Sequence, residues 1–136
     1  MIVGNYHPTL EWVGKILDTE FSCRKSSLAQ IDKTGKRFIA GVVYDEYTGA
    51  SITANIVIAG MMSKRFLHDI FDYPFNQLGV DRIISHVKSN NVAAIRFNNK
   101  IGFKFTAIIP GVYRDADMIV YTMLRDDCRF LEKDNG

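Results

Sequence analysis

The stretch Asn91-Val-Ala-Ala-Ile-Arg-Phe-Asn-Asn-Lys-Ile-Gly-Phe103 constrains this chain more than any other part of it. It reads as one short helix and its exit into a strand. Asn91 suits an N-cap, because its side-chain oxygen can accept an N–H that the first helical turn leaves unbonded. Ala94, Ile95 and Phe97 sustain a helix, and Lys100 places a cation in the last turn, where the helix dipole favours it. Gly102 can take the left-handed C-cap conformation. Phe103 then opens an apolar run to Ile109 with strand character. A capped helix entering a strand is common to many α/β proteins, so its surroundings must narrow the choice.

Residues 1–8 read as an extended lead-in. Thr9 is a candidate N-cap, and Leu10, Val13, Ile16 and Leu17 form one helical stripe suited to packing on a sheet, with Trp12 in its core or rim. Residues 18–27 are polar and read as loop. Three strands follow, Leu28–Ile31, Arg37–Tyr44 and Ala50–Ala59, joined by turn chemistry at 32–36 and 45–49. Short turns between them predict an antiparallel meander. Ser63 can cap a helix whose Phe66, Leu67, Ile70 and Phe71 share a face. Pro74 lacks an N–H and would clash with the carbonyl of Ile70, so that helix should bend or break there. Phe75 and Leu78 continue the apolar contacts to Gly79. Asp81–Val87 is a strand, then comes the Asn91 helix, then strands Phe103–Ile109 and Met118–Leu124 around the loop 110–117. Residues 125–136 form a polar tail, apart from Phe130 and Leu131. The order is helix, three strands, helix, strand, helix, two strands, without repeats, and predicts one domain over residues 1–136.

Composition excludes several classes of function. A formal charge of +2 is too weak to argue for nucleic acid or an anionic membrane. No apolar run approaches the roughly twenty residues that span a bilayer. The start of the chain, with Asn5, His7 and Glu11, does not read as a signal peptide. Cys23 and Cys128 have neither C-x-x-C spacing nor metal-ligand company, so they read as two reduced structural thiols of a cytoplasmic protein.

Asn91, Ala94, Ile95, Lys100, Gly102 and Phe103 together resemble the N-x-x-A-I-x-x-x-x-K-x-G-F signature of the GNAT superfamily of acyl-CoA N-acyltransferases. The element order from Arg37 to Leu124 is similar to that family's as well. Compact ribosomal-protein N-acetyltransferases are the nearest type, and Tyr73-Pro-Phe75 is similar to small acetyltransferase-like proteins encoded by tailed phages, which would place the protein in a host cytoplasm. The resemblance implies an α/β fold: a mixed, mostly antiparallel sheet with a parallel, splayed strand pair and helices on both faces. It also implies binding of acetyl-CoA and transfer of acetyl to a primary amine, on a protein or a small molecule, by direct attack in a ternary complex. The alternative is a catalytically inert protein of the same fold that acts by binding a partner protein.

The same resemblance implies a site. The pantetheine arm would enter between Ala50–Ala59 and Asp81–Val87, bonding to the backbone of Ile56, Val57 and Ile58, beside the helix that carries Asn91, Ala94, Phe97, Asn98 and Lys100. The pyrophosphate would meet the N-terminus of the preceding helix, around Met61, Met62, Ser63, Lys64 and Arg65. Gly60 is the only glycine there, where the family has a glycine-rich loop. Two basic residues early in a helix oppose its dipole, which favours a role in anion binding over a structural one. Asn98 stands where many relatives carry an acid Tyr, and an amide can hydrogen-bond to sulfur but cannot release a proton. Asn55 and Thr53 lie where some relatives carry the base. His86 can titrate near neutrality. Asp45 and Glu46 read as solvated turn carboxylates, whereas Tyr113, Arg114, Asp115 and Asp117 suit acceptor recognition. Finally, Met118–Leu124 is apolar on both faces near the chain end, and predicts a homodimer that covers one face and an edge.

Overall fold

The computed structural model describes residues 1–21 and 25–131. Its strands are β1 (Ile2–Gly4), β2 (Ser26–Ile31), β3 (Phe38–Asp45), β4 (Ser51–Ile58), β5 (Arg82–Lys88), β6 (Lys104–Ile109) and β7 (Met118–Leu124). Its α-helices are α1 (His7–Leu17), α2 (Lys64–Asp72) and α3 (Val92–Ile101). The strands form a single sheet in the order β1-β2-β3-β4-β5-β7-β6. Every neighbouring pair is antiparallel except β4 with β5.

The two-residue period of the strands divides the apolar residues between two faces. On β3, Ala40, Val42 and Tyr44 join Phe66, Ile70 and Phe71 of α2 in the main core. Val43, on the opposite face, packs with Val57 and with Val13, Leu10, Trp12 and Leu17 of α1. α1 lies directly on β3 because Gly41 has no side chain: a Cβ there would stand 3.0 Å from Val13 and 3.2 Å from Trp12. Trp12 also stacks on Phe38, with ring centroids 4.7 Å apart.

Local chemistry sets most element boundaries. α1 begins at His7, two residues before the expected Thr9 cap, because Pro8 is well suited to a first helical turn. Thr9 is buried inside the helix instead. Residues 1–8 contribute β1, and β2 starts at Ser26 within the stretch expected to be loop. α2 ends at Asp72, and Tyr73–Gln77 form a wider π turn around Pro74. Pro74 has no N–H to give the Ile70 carbonyl, and the Tyr44 hydroxyl donates to that oxygen at 2.6 Å. Gly102 takes the left-handed C-cap of α3, with φ of 103°. Phe130 and Leu131 pack on the main core, Phe130 stacking on Phe71 at 5.2 Å. Cys128 is buried and free, whereas Cys23 lies outside the described residues. No helix among the described residues is long and apolar enough to cross a membrane.

One expectation about the sheet is corrected. β7 has no free edge, because it runs between β5 and β6 and is paired on both sides. Among the described residues the outer strands of the sheet are β1 and β6.

Candidate active site

β4 and β5 are paired only at their beginnings, through Ser51↔Arg82, Ile52↔Ile83 and Thr53↔Ile84. Beyond Thr53, β4 stays with β3 to the Ala40↔Ile58 pair, while β5 stays with β7 to the Lys88↔Met118 pair. Each strand follows its outer neighbour, so the two part like the arms of a V. The rims of Asn55–Ile58 and Ser85–Lys88 that face each other bond to no strand. Backbone groups in that state need partners.

A cleft of about 570 Å³ occupies the opening. α1 supplies one wall with Ile16, Leu17, Asp18 and Thr19, and α3 supplies another with Ala94, Phe97 and Asn98. Val112 and Tyr113, from the loop after β6, close a third side. Of the residues expected at the site, Asn55, Ile56, Val57, Ile58, His86, Asn91, Ala94, Phe97 and Asn98 are brought together around this cleft. Met61, Met62, Ser63, Lys64, Arg65 and Lys100 do not line it. Sequence reasoning missed the end of α1. Its one signal was the polar run after Leu17, and Asp18 takes a left-handed cap there with φ of 52°.

Asn91 caps α3, its Oδ1 accepting the N–H of Ala94 at 3.1 Å. Asn98, one turn further on, donates its Nδ2 to the carbonyl of Ala94 at 2.8 Å. Its Oδ1 is buried and has no partner. Asn55 donates its Nδ2 to the carbonyl of Val43, its neighbour across the β3–β4 ladder.

His86 is half-buried on β5, and burial holds its pKa below 6.5 although the charge of Glu46 acts the other way. The imidazole is therefore neutral at neutral pH and able to accept a proton. Asp45, expected in a solvated turn, is instead buried at the end of β3, opposite Thr53, where its carboxylate accepts the N–H of Glu46.

The loop after β6 is tied to the turn between β5 and α3. Ser89 N–H donates to the Asp117 carbonyl, Asp117 N–H donates to Ser89 Oγ, and Gly111 N–H donates to the Asp117 carboxylate. Asn90 and Lys88 both reach Asp115, which lowers its pKa, and Lys88 also lies 5.0 Å from the Tyr113 ring centroid. Asp115 and Asp117 thus hold the loop in place, while burial raises the pKa of Tyr113, which lines the cleft together with Lys88.

The expected pyrophosphate site is at the start of α2. Ser63 caps the helix through Phe66 N–H, and its own N–H donates to Gln30 Oε1. The first intrahelical bond comes from Leu67 N–H, so the N–H groups of Lys64 and Arg65 lie ahead of it. Arg65 turns back to pair with Asp69 at 3.1 Å. Met61 is fully exposed.

No protein-family model and no curated protein matches this sequence. Solved structures do match. The spermidine/spermine N-acetyltransferase SpeG from Vibrio cholerae superposes with a TM-score of 0.73 at 15% identity, covering 93% of this chain and 95% of its own. Its fold is that of the GNAT N-acetyltransferases. The ribosomal-protein-S5-alanine acetyltransferase from Vibrio fischeri gives 0.65 at 15% identity over 77% of this chain and 64% of its own. The N-acetyltransferase PseH from Campylobacter jejuni, in complex with acetyl coenzyme A, gives 0.60 at 13% identity over 85% and 77%. The splayed pair and the Asn91 helix accordingly sit in a GNAT fold, as the element order from Arg37 to Leu124 implied.

Proposed function

We propose that this protein is an acetyl-CoA-dependent N-acetyltransferase acting on a primary amine. The observation that carries the reading is the parting of β4 from β5 after Thr53 and Ile84, which leaves a row of unpaired backbone groups along a cleft. An extended, amide-bearing arm such as pantetheine satisfies such a rim as an added strand would. Ile56, Val57 and Ile58 would bond to it from β4, with Ala94 and Phe97 packing from α3. Asn98 would pack beside it, with its Oδ1 buried beneath the cleft surface. The N–H groups of Lys64 and Arg65, with the Lys64 ammonium, would hold the pyrophosphate at the edge of the cleft.

Acetyl-CoA would supply an activated thioester. The remaining work falls to side chains on the α1 face. His86, neutral at pH 7, would take the proton of the incoming ammonium directly or through water. The backbone N–H groups on the open rim of β4 would stabilise the oxyanion, and as the C–S bond breaks the thiolate would leave and take the second nitrogen proton through water in the cleft. Tyr113 and Asp18 would meet the acceptor. A calorimetric titration with acetyl-CoA, followed by acetyl transfer to a panel of primary amines, tests the reading. Absence of binding overturns it.

One observation favours a second reading, an inert protein of this fold that binds a partner. Asn98 presents an amide whose N–H does not ionise, and which is turned to the Ala94 carbonyl, so its side chain cannot give a proton to a leaving thiolate. Binding of acetyl-CoA without transfer to any amine would favour it.

A further inference from the structure

Every lysine among the described residues is exposed except Lys88, whose side chain is only 30% exposed. Lys88 is also the one lysine that lines the cleft. It follows His86 by two positions on β5, so the period of the strand sets both side chains on one face, about 6.5–7 Å apart. That face is the one α1 packs on, because Ile84 lies level with Thr53, which shares its side of β4 with Val57. A neutral imidazole and a half-buried ammonium therefore stand side by side on one wall of the cleft.

The Lys88 ammonium rests where an acceptor amine would be met. Its Nζ lies 5.0 Å from the centroid of the Tyr113 ring and 3.5 Å from the Asp115 carboxylate. An aromatic face and a carboxylate together hold an alkyl ammonium. The hold is weak, because the Asp115 side chain is 64% exposed, and exposed ion pairs contribute little. The flexible four-carbon stem can thus swing Nζ away from Asp115 toward His86. The loop does not depend on the pair. Ser89 still bonds to Asp117, Gly111 to the Asp117 carboxylate, and Asn90 to Asp115.

We propose that Lys88 is a site of self-acetylation, resting on the reading above that acetyl-CoA binds in this cleft. His86 takes one proton from the Lys88 ammonium. The freed lone pair on Nζ attacks the thioester carbon and forms a C–N bond. As the adduct collapses, the C–S bond breaks, and the thiolate leaves and takes the second nitrogen proton through water. The products are Nζ-acetyl-lysine and coenzyme A, and His86 returns its proton to solvent. The acetylated side chain carries no charge, so its pairing with Asp115 and its attraction to the Tyr113 ring are both lost. Self-acetylation thereby changes the wall that meets external amines.

Incubation of the whole chain with acetyl-CoA, followed by peptide mass mapping, tests this, with acetyl-CoA binding measured by calorimetry on the same sample. Lys88 should be acetylated about tenfold or more faster than any other lysine, because its amine and the thioester share one cleft. The fractional rate should not change with protein concentration, and prior unfolding in urea should abolish the preference for Lys88. His86→Gln should slow the reaction about a hundredfold or more. Binding of acetyl-CoA with Lys88 left unmodified overturns the proposal but leaves the acetyltransferase reading standing, whereas absence of binding removes both. A rate that rises with protein concentration overturns the proposal too, as does a rate that His86→Gln leaves unchanged or a preference for Lys88 that survives in urea.

Discussion

Asn98 donates to the carbonyl of Ala94 at 2.8 Å and leaves its own Oδ1 buried without a partner. A buried acceptor in that state costs about 1–3 kcal/mol, whereas the bond it accompanies contributes about 1 kcal/mol. Asn98→Leu, similar in shape though bulkier, removes both. Thermal and urea unfolding should therefore show the variant to be as stable as the wild type or slightly more so. Its affinity for acetyl-CoA should change little, because that Oδ1 is buried out of reach of the pantetheine arm. A variant that keeps its stability but loses affinity would place the role of Asn98 in the cleft rather than in the core.

Tyr44 and Pro74 are linked through one oxygen. Pro74 cannot donate to the Ile70 carbonyl, and the buried Tyr44 hydroxyl does so at 2.6 Å. Tyr44→Phe keeps the ring and its contact with Tyr73 but leaves that carbonyl without this donor. The expected loss is about 1–3 kcal/mol in urea unfolding.

Gly41→Ala tests how closely α1 sits on the sheet. The added methyl would stand 3.0 Å from Val13, 3.2 Å from Trp12 and 3.3 Å from Thr9, so the helix must lift. Overpacking of this kind costs about 1–3 kcal/mol. Trp12 is the chain's single tryptophan, so a change in its emission should accompany the lower urea midpoint.

Burial lowers the pKa of His86 from 6.5, so the folded chain disfavours the charged imidazole more than the unfolded chain does. The unfolded state then binds more protons as the pH falls, and stability declines below pH 6.5, levelling off once the folded pKa is passed. His86→Gln should remove that decline, so the stability gap between wild type and variant should depend on pH only in this acidic window. If His86 is the base, the acidic limb of kcat/KM should also lie below 6.5 and disappear in the variant.

The parts of this fold that were legible in the sequence were fixed by local chemistry. Asn91 and Gly102 bound α3 because a cap needs an acceptor at one end and a left-handed residue at the other. Pro74 ended α2 because it lacks a donor. What stayed hidden was the placement of elements remote in sequence. β6 and β7 are both apolar strands, and only the spatial order decides that β7 is interior and β6 outermost. Asp45 reads as a turn carboxylate until its pairing with Thr53 makes it the end of a buried strand. Asp18 and Thr19 joined the cleft through the direction in which α1 crosses the sheet. That direction depends on the close approach at Gly41, of which the polar run after Leu17 gives no indication.

The start of α2 allows stability and affinity to be separated. Lys64 is a cation at the positive end of the helix dipole, so Lys64→Ala should leave stability unchanged or raise it by a few tenths of a kcal/mol. If the pyrophosphate binds there, the same change removes a charge-assisted contact worth about 1.5–3 kcal/mol, which is about tenfold or more in acetyl-CoA affinity. Arg65 differs, because it is paired with Asp69 on the exposed face of the helix. Arg65→Ala should cost about 0.3–0.5 kcal/mol of stability and add little to the loss of affinity. High salt should shrink the effect of Lys64→Ala by screening the charge. An acetylated pantetheine fragment without phosphates should bind the wild type and Lys64→Ala equally. Equal affinity of the two proteins for whole acetyl-CoA at low salt would remove the pyrophosphate from this helix and leave Ser63 as an ordinary cap.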